Sequence, residues 1–495
     1  MEFREHPVNY LQEQAVELIY QEETAELIVP DSQPDVQAVA DAWAVCCVRD
    51  EEASAGSVSV SGAFQAGILC TGEDGGAPFT MDAWLPFTVR LSREAVTRDA
   101  VFFADVRIRS VDARLLNSRK LMLRVSYAAR LTAYGPAMLP IREAEETGGV
   151  ELLRRTERIT VPVSAAVKNT VVGESVELPA ADGEVRLIKA VPELQWTEQS
   201  LAENRAVLKG YAALHLVYLS GGRLSCFDVQ LPIAQYLELE GDVEGGTLRA
   251  WGAVTEFSLD PEEDGSYAVT LGLRLAAVVT RTLELPVLAD GYCPGRSFTA
   301  EYDTFRLRQA LDAPTVKKNA EAALSGTVRM LVDTAAWVDF PVCRRAEDAV
   351  EAEAAVTLHA LYYDEAEQLR GETVKATCSA EFALAAGAVC FADADPCGGC
   401  FTSMGGSGSL ITCPVTLTAR CFGEREVRTM RSAEAGEPLP ETADRPSLLV
   451  RRIVGEQPLW DIAKAAGASA AAIRAANDLG EAAVCADRLL LIPLA

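Results

Sequence analysis

The chain has 495 residues, of which 49% are hydrophobic and 24% charged, with a formal net charge of −27. That length is too great for one core and predicts about three or four domains, and the apolar content excludes a disordered chain. The acidic excess excludes nucleic acid and anionic membrane surfaces as partners captured by charge.

The N-terminus, Met1-Glu2-Phe3-Arg4-Glu5-His6-Pro7, is too charged for a signal peptide. No stretch of about twenty apolar residues follows, so no membrane insertion is expected. Thirteen cysteines without a repeating framework fit a reducing compartment, and the expected location is the cytosol. Residues 14–36 carry two apolar runs separated by Pro30-Asp31-Ser32-Gln33-Pro34-Asp35, a double turn signal. Val58, Val60, Gly62, Phe64, Ala66, Ile68 and Cys70 then alternate with mostly small or polar residues, the period of a half-buried strand. Further strands are predicted over 79–91, which contains Leu85-Pro86-Phe87, and over 101–109. Leu115-Leu116-Asn117-Ser118-Arg119-Lys120-Leu121 reads as two strands joined by a polar turn, running on to about Tyr134, where Gly135-Pro136 is expected to end the unit.

The same grammar returns downstream. Residues 210–218 (GYAALHLVY) fall on 62–70, and 354–362 (AAVTLHALY) fall on both. Leu231-Pro232-Ile233 echoes Leu85-Pro86-Phe87, and Val328-Arg329-Met330 echoes Val185-Arg186-Leu187. The expectation is a mainly β body of tandem, sandwich-like modules over 1–140, 150–292 and 293–428, roughly 130 residues each, the third more divergent. The best helix-period stretch in the body, 315–323, also reads as strand. Residues 429–446 have the Pro, Glu and Ala content of an exposed linker that would give the tail independent reach.

The tail, 447–495, carries five basic and five acidic residues, so the whole charge excess lies in the body. An apolar strand from Leu449 leads into Pro458-Leu459-Trp460-Asp461-Ile462-Ala463, a helix start with proline at a first-turn position. An alanine-dense second helix follows, broken at Asn477-Asp478, and Leu489 to Ile492 closes the unit as a strand stopped by Pro493.

In type, spacing and order, Leu459, Trp460, Ile462, Ala463, Ile473, Asn477, Leu489, Ile492 and Pro493 make the tail resemble a LysM module, a small βααβ unit. The resemblance implies binding of N-acetylglucosamine polymers or, in some members, of proteins. Where glycan-binding members carry Gly-Asp-Thr, this chain has Glu456-Gln457-Pro458, which removes a glycine, a carboxylate and a hydroxyl from the sugar groove. Pro30 to Val36 and Leu115 to Leu121 are similar to the two motifs of the SPOCS domain of sporulation and spore-coat proteins. SPOCS repeats with a terminal LysM resemble the clostridial SipL-like family of coat-assembly proteins. That likeness implies a spore-forming host and a place in the mother-cell cytoplasm, at the forespore surface. It implies as partners the coat-basement ATPase, docked through the LysM unit, and other coat proteins.

No phosphate-cradling loop, HExxH or GxSxG is present, so no enzyme and no cofactor are expected. His6 lies near the N-terminus, while His215 and His359 share one repeat position opposite the faces of Leu214/Leu216 and Leu358/Ala360 and read as strand-surface residues. Cys397 and Cys400 form one CxxC with Cys390, Cys413 and Cys421 nearby, a weak metal or redox candidate beside a glycine-rich loop. Asp31 and Asp35, each beside a proline, read as turn formers. Trp460 is the expected partner anchor, flanked by Leu448, Arg451 and Arg452. The leading expectation is an adaptor that tethers coat proteins to the spore surface. The alternative is a glycan-binding wall or cortex protein with Leu459, Trp460 and Asn477 at the groove, and a hydrolase of unfamiliar site ranks third.

Overall fold

The computed structural model describes residues 2–73, 75–179, 185–385, 387–405, 408–439, 446–480 and 484–494. The first third forms β1 (Phe3–Ile28), β2 (Val36–Ser54), β3 (Ser57–Gly72), β4 (Phe79–Ser92), β5 (Val101–Asn117) and β6 (Lys120–Ala144). Strand β6 is the centre of an antiparallel sheet ordered β1-β6-β5, and β2-β3-β4 form a meander that packs on it. Phe64, Phe87 and Tyr127 meet between the two sheets, with ring centroids 4.8 to 5.4 Å apart. The fold is therefore mainly β, as expected.

The second third repeats the plan with β7 (Glu151–Val176), β8 (Val185–Ala202), β9 (Arg205–Ser220), β10 (Arg223–Glu238), β11 (Thr247–Pro261) and β12 (Tyr267–Tyr292), in sheets β11-β12-β7 and β10-β9-β8. In the final third the same strands are broken. The first is β13 (Arg296–Ala310) and β14 (Thr315–Ala323), and the second is β15 (Met330–Val338) and β16 (Val342–Arg345). The meander continues with β17 (Ala349–Tyr363) and β18 (Leu369–Ala383); the fifth strand is β19 (Ala388–Pro396) and β20 (Phe401–Gly405), and β21 (Gly408–Pro438) pairs with β13, β14, β19 and β20. The stretches 62–70, 210–218 and 354–362 are thus the central strands of three meanders.

Register refines the sequence reading. Leu85-Pro86-Phe87 and Leu231-Pro232-Ile233 do pair at equivalent points, Phe87 opposite Gly62 and Ile233 opposite Gly210. By contrast Leu187 faces Tyr218 as Leu331 faces Tyr362, so the upstream echo is offset by one residue. Gly135-Pro136 does not end a strand, because β6 runs on to Ala144. Beyond Tyr134 the strand has lost β5 as a neighbour, so the missing N–H of Pro136 breaks no ladder there. Residues 430–438, expected in a linker, belong to β21 and pair with β13. Residues 440–445 of that expected linker lie outside the described residues.

Val36 follows a crossover from one sheet to the other, and Arg119 holds it. Its guanidinium donates to the carbonyls of Val29, Pro30 and Gln33 and to the carboxylates of Asp31 and Asp35, while the Ser118 hydroxyl donates to Asp35 at 2.9 Å. The two motifs that carry the SPOCS likeness are therefore one structural clamp, and Asp31 and Asp35 serve a turn.

The three units close around a common axis, because residues at one repeat position meet there. Asp41, Lys189 and Asp333 lie opposite Leu69, Val217 and Leu361, the eighth residue of each aligned stretch, and each sits at a bulge. The buried Lys189 ammonium is 2.9 Å from the Asp41 carboxylate and 2.7 Å from that of Asp333. His215 bridges Asp333 and Asp228, and His359 Nε2 is 3.1 Å from Asp41. The histidines were expected on a strand surface. They do face away from their own sandwich cores, but the neighbouring units bury His359 and cover most of His215. Gly67 takes their position in the first unit, and the Trp43 ring fills the space a Cβ would need. In a second group, Asp393 accepts from Arg130 and Arg249 and lies 3.2 Å from the Arg420 guanidinium, so that one arginine comes from each unit. Farther out, the paired ends of β1/β6, β7/β12 and β13/β21 pack through Leu139, Ile159, Leu285, Leu307 and Val427.

Burial disfavours the His215 imidazolium, but Asp333 and Asp228 outweigh it and raise its pKa from 6.5 to about 9. Its contribution to stability is complete below pH 6.5 and is lost as pH rises through 9. The melting temperature is expected to fall more steeply from pH 7 to 10 in the native chain than in His215→Gln. Lys189→Met, which strands two buried carboxylates, should cost about 3–5 kcal/mol in urea unfolding. Adding Asp41→Asn and Asp333→Asn should recover much of that loss; no recovery would refute charge pairing as the source.

Candidate docking site of the C-terminal unit

The tail folds as β22 (Leu448–Arg452), β23 (Glu456–Pro458), α1 (Leu459–Ala466), α2 (Ala470–Ala476), β24 (Val484–Ala486) and β25 (Leu489–Pro493). Strands β22 and β25 pair antiparallel, as do β23 and β24. Pro458 occupies the cap just before α1 rather than its first turn, Gly467 ends that helix at φ 62°, and the Ser469 hydroxyl caps α2. Leu459, Ile462, Ala463, Ile473, Leu490 and Ile492 form the core beneath one face of the β22/β25 pair.

The helical side of this unit sits on the body. The Trp460 ring meets Tyr292 edge-on, with centroids 4.9 Å apart, and its Nε1–H donates to Asp290 at 3.1 Å. Lys464 Nζ lies 2.8 and 2.6 Å from the two oxygens of the same carboxylate. Burial would raise the Asp290 pKa, but Lys464, Trp460, the Gly291 N–H and the Tyr302 hydroxyl together lower it. The Tyr292 hydroxyl is 2.9 Å from the Ala468 carbonyl and 2.6 Å from Glu151, which accepts the Ala470 N–H at 3.1 Å. Sequence reasoning found Trp460 but missed Asp290, Tyr292, Glu151 and Lys464. Asp290-Gly291-Tyr292 matches no motif, and only its position at the end of β12 gives it a role.

The other predicted residues divide. Leu459 is a core residue, and Asn477 is used up in main-chain bonds: its amide donates to the carbonyls of Ile473 and Leu491 and accepts the Leu491 N–H. With Trp460 turned to the body, these three do not line a groove. Leu448, Arg451 and Arg452 are all exposed on β22. Val450 lies opposite Leu491, and Arg452 opposite Leu489, on the face turned away from the helices. Leu448, Val450, Leu489 and Leu491 are exposed there by 46, 56, 66 and 38%. Arg451 and Arg452 form no ion pair among the described residues, in a chain where acids outnumber bases 72 to 45.

Cys397 and Cys400 fall in the break between β19 and β20, Cys397 exposed and Cys400 partly buried beside Cys413. The Cys390 and Cys421 sulfurs are 3.5 Å apart across β19 and β21. Among the described residues no group of three or more His, Cys, Asp or Glu is placed to hold a metal ion, and no helix is long and apolar enough to cross a membrane. No family model, curated protein or solved structure matches the chain.

Removing the carboxylate in Asp290→Ala leaves Lys464 and the Trp460 N–H unpaired, and should loosen the unit by about 1–3 kcal/mol. Hydrogen exchange in α1 and in the last residues of β12 is expected to rise. Unchanged exchange would mean that the Tyr292 and Glu151 contacts hold the tail without Asp290.

Proposed function

We propose that this protein is a non-enzymatic adaptor in endospore envelope assembly, whose C-terminal unit docks on the forespore-coating ATPase while the β body presents surfaces to coat components. The observation that carries the reading is the outward face of β22/β25. Four exposed aliphatic side chains stand there beside Arg452, with Arg451 exposed on the other face of the same strand and neither arginine ion-paired among the described residues, and a small unit rarely leaves such a patch uncovered. Arginine next to apolar surface is the composition of a binding hot spot. The location in the mother cell and the identity of the ATPase rest on the SPOCS and LysM likenesses.

The mechanism is tethering, in which two binding surfaces on one chain raise the local concentration of coat proteins. The unit that docks is itself held on the body through Trp460 and Lys464, so the tether is short and directed.

Leu491→Glu and the double change Arg451→Glu/Arg452→Glu are each expected to weaken binding of the full chain to the purified ATPase by about tenfold or more. Trp460→Ala, which alters a contact with the body, should have the smaller effect. Calorimetric titration of the folded variants decides; native affinity in both strand-pair variants would sink the proposal.

A further inference from the structure

The two edges of the β22/β25 pair differ. The Ile453 N–H donates to the Arg488 carbonyl, and the Leu494 N–H to the Ser447 carbonyl. Main-chain groups of residues 447, 449, 451 and 453 therefore point at β25. By the alternation of an antiparallel ladder, those of Leu448, Val450 and Arg452 point the other way, and so do those of Leu489 and Leu491 on β25. On the β25 side the Asn477 side chain takes both main-chain groups of Leu491, donating at 2.6 Å and accepting at 2.7 Å, as a neighbouring strand would. On the β22 side no strand pairs among the described residues, and among them no bond to those three residues' main chain is present. One edge is plugged and the other is open.

Resting on the docking reading above, we infer that the partner enters as an extended segment added to the open edge of β22, making a third strand. Its hydrogen bonds would go to the N–H and C=O groups of Leu448, Val450 and Arg452. Side chains on one face of the incoming strand would extend the Leu448/Val450/Leu491 surface, and those on the other would lie beside Arg451. The segment that fits alternates apolar and acidic residues, because both arginines lack a carboxylate among the described residues and like charges in facing positions destabilise a sheet. A second copy of this strand fits less well, since it would bring four arginines onto one small sheet.

The test uses the full chain and hydrogen exchange read at residues 448–452. The probes are the purified coat-basement ATPase and, separately, a ten-residue peptide alternating glutamate and valine, with a lysine–valine peptide as its control. Protection of residues 448, 450 and 452 by the glutamate peptide, at least tenfold weaker in Val450→Pro and absent with the lysine peptide, is the expected result. Proline at 450 removes only an edge-facing donor, and an unchanged core signal from Ile473 and Leu490 checks that the unit stays folded. No protection by the glutamate peptide at millimolar concentration, equal protection by the lysine peptide, or a concentration-dependent dimer through β22 would overturn strand addition. If the ATPase fails to bind while the peptide protects, the choice of partner falls and the mode of docking stands. ATPase binding that leaves 448–452 unprotected, with Val450→Pro unaffected, preserves the adaptor and refutes the mode.

Discussion

The body depends on what happens where one position of three repeats meets itself. Identical residues there would place three like charges, or three identical bulky groups, within a few ångströms. The chain resolves this by divergence, with lysine in the second unit and aspartate in the first and third. The two carboxylates and one ammonium still leave a negative charge, which the raised pKa of His215 offsets. Three separate copies could not make that choice independently. A single chain can, and so the arrangement needs the repeats to be fused.

The same logic recurs at Asp393, where one carboxylate collects an arginine from each unit. Buried pairs of this kind add little net stability over a well-packed apolar contact, since removing the charges from water offsets most of their attraction. Their effect is on register. Only one packing of the three sandwiches brings Lys189 between two carboxylates while Asp393 meets three guanidinium groups, and any slip strands several charges at once. The apolar layer of Leu139, Ile159, Leu285, Leu307 and Val427 supplies burial without that discrimination.

Much of the fold was legible because the strands alternate and the repeats share a pattern. The alignment of the three central strands was readable, though not their full lengths, and the echo of the two Leu-Pro-x triplets was readable without the pairing that explains it. The closing of three units on one axis was not. Lys189 and Asp333 sit in alternating strands like many charged residues that face water, and a single sequence carries no sign that the opposing surface is another repeat. His215 and His359 were assigned to the right face and the wrong surroundings for that reason. The turn motifs showed the opposite case, since Asp31 and Asp35 were read locally while their partner Arg119 lay in the other motif. In the tail, Trp460 announced an anchor, but composition cannot say whether an anchor serves a partner or the chain's own body.

Turning Trp460 inward changes what the rest of the tail can do. Were it the outward anchor, the helices would face the partner and the strand pair would be free to lie against the body. With Trp460 and Lys464 on Asp290, α1 and the start of α2 meet the body and the outer face of the strand pair is left free. That choice has support from below: Gly291, between Asp290 and Tyr292, leaves room for Met430 and Phe298 of the third unit, where a Cβ would come within 2.9 and 3.0 Å of them. Ribbons from two units thus hold the surface that receives the tail. The clamp at Asp290 and the open edge of β22 are on opposite sides of one small core, so fixing the first sets the direction of the second. A plug on β25 and, among the described residues, none on β22 then leaves one way in.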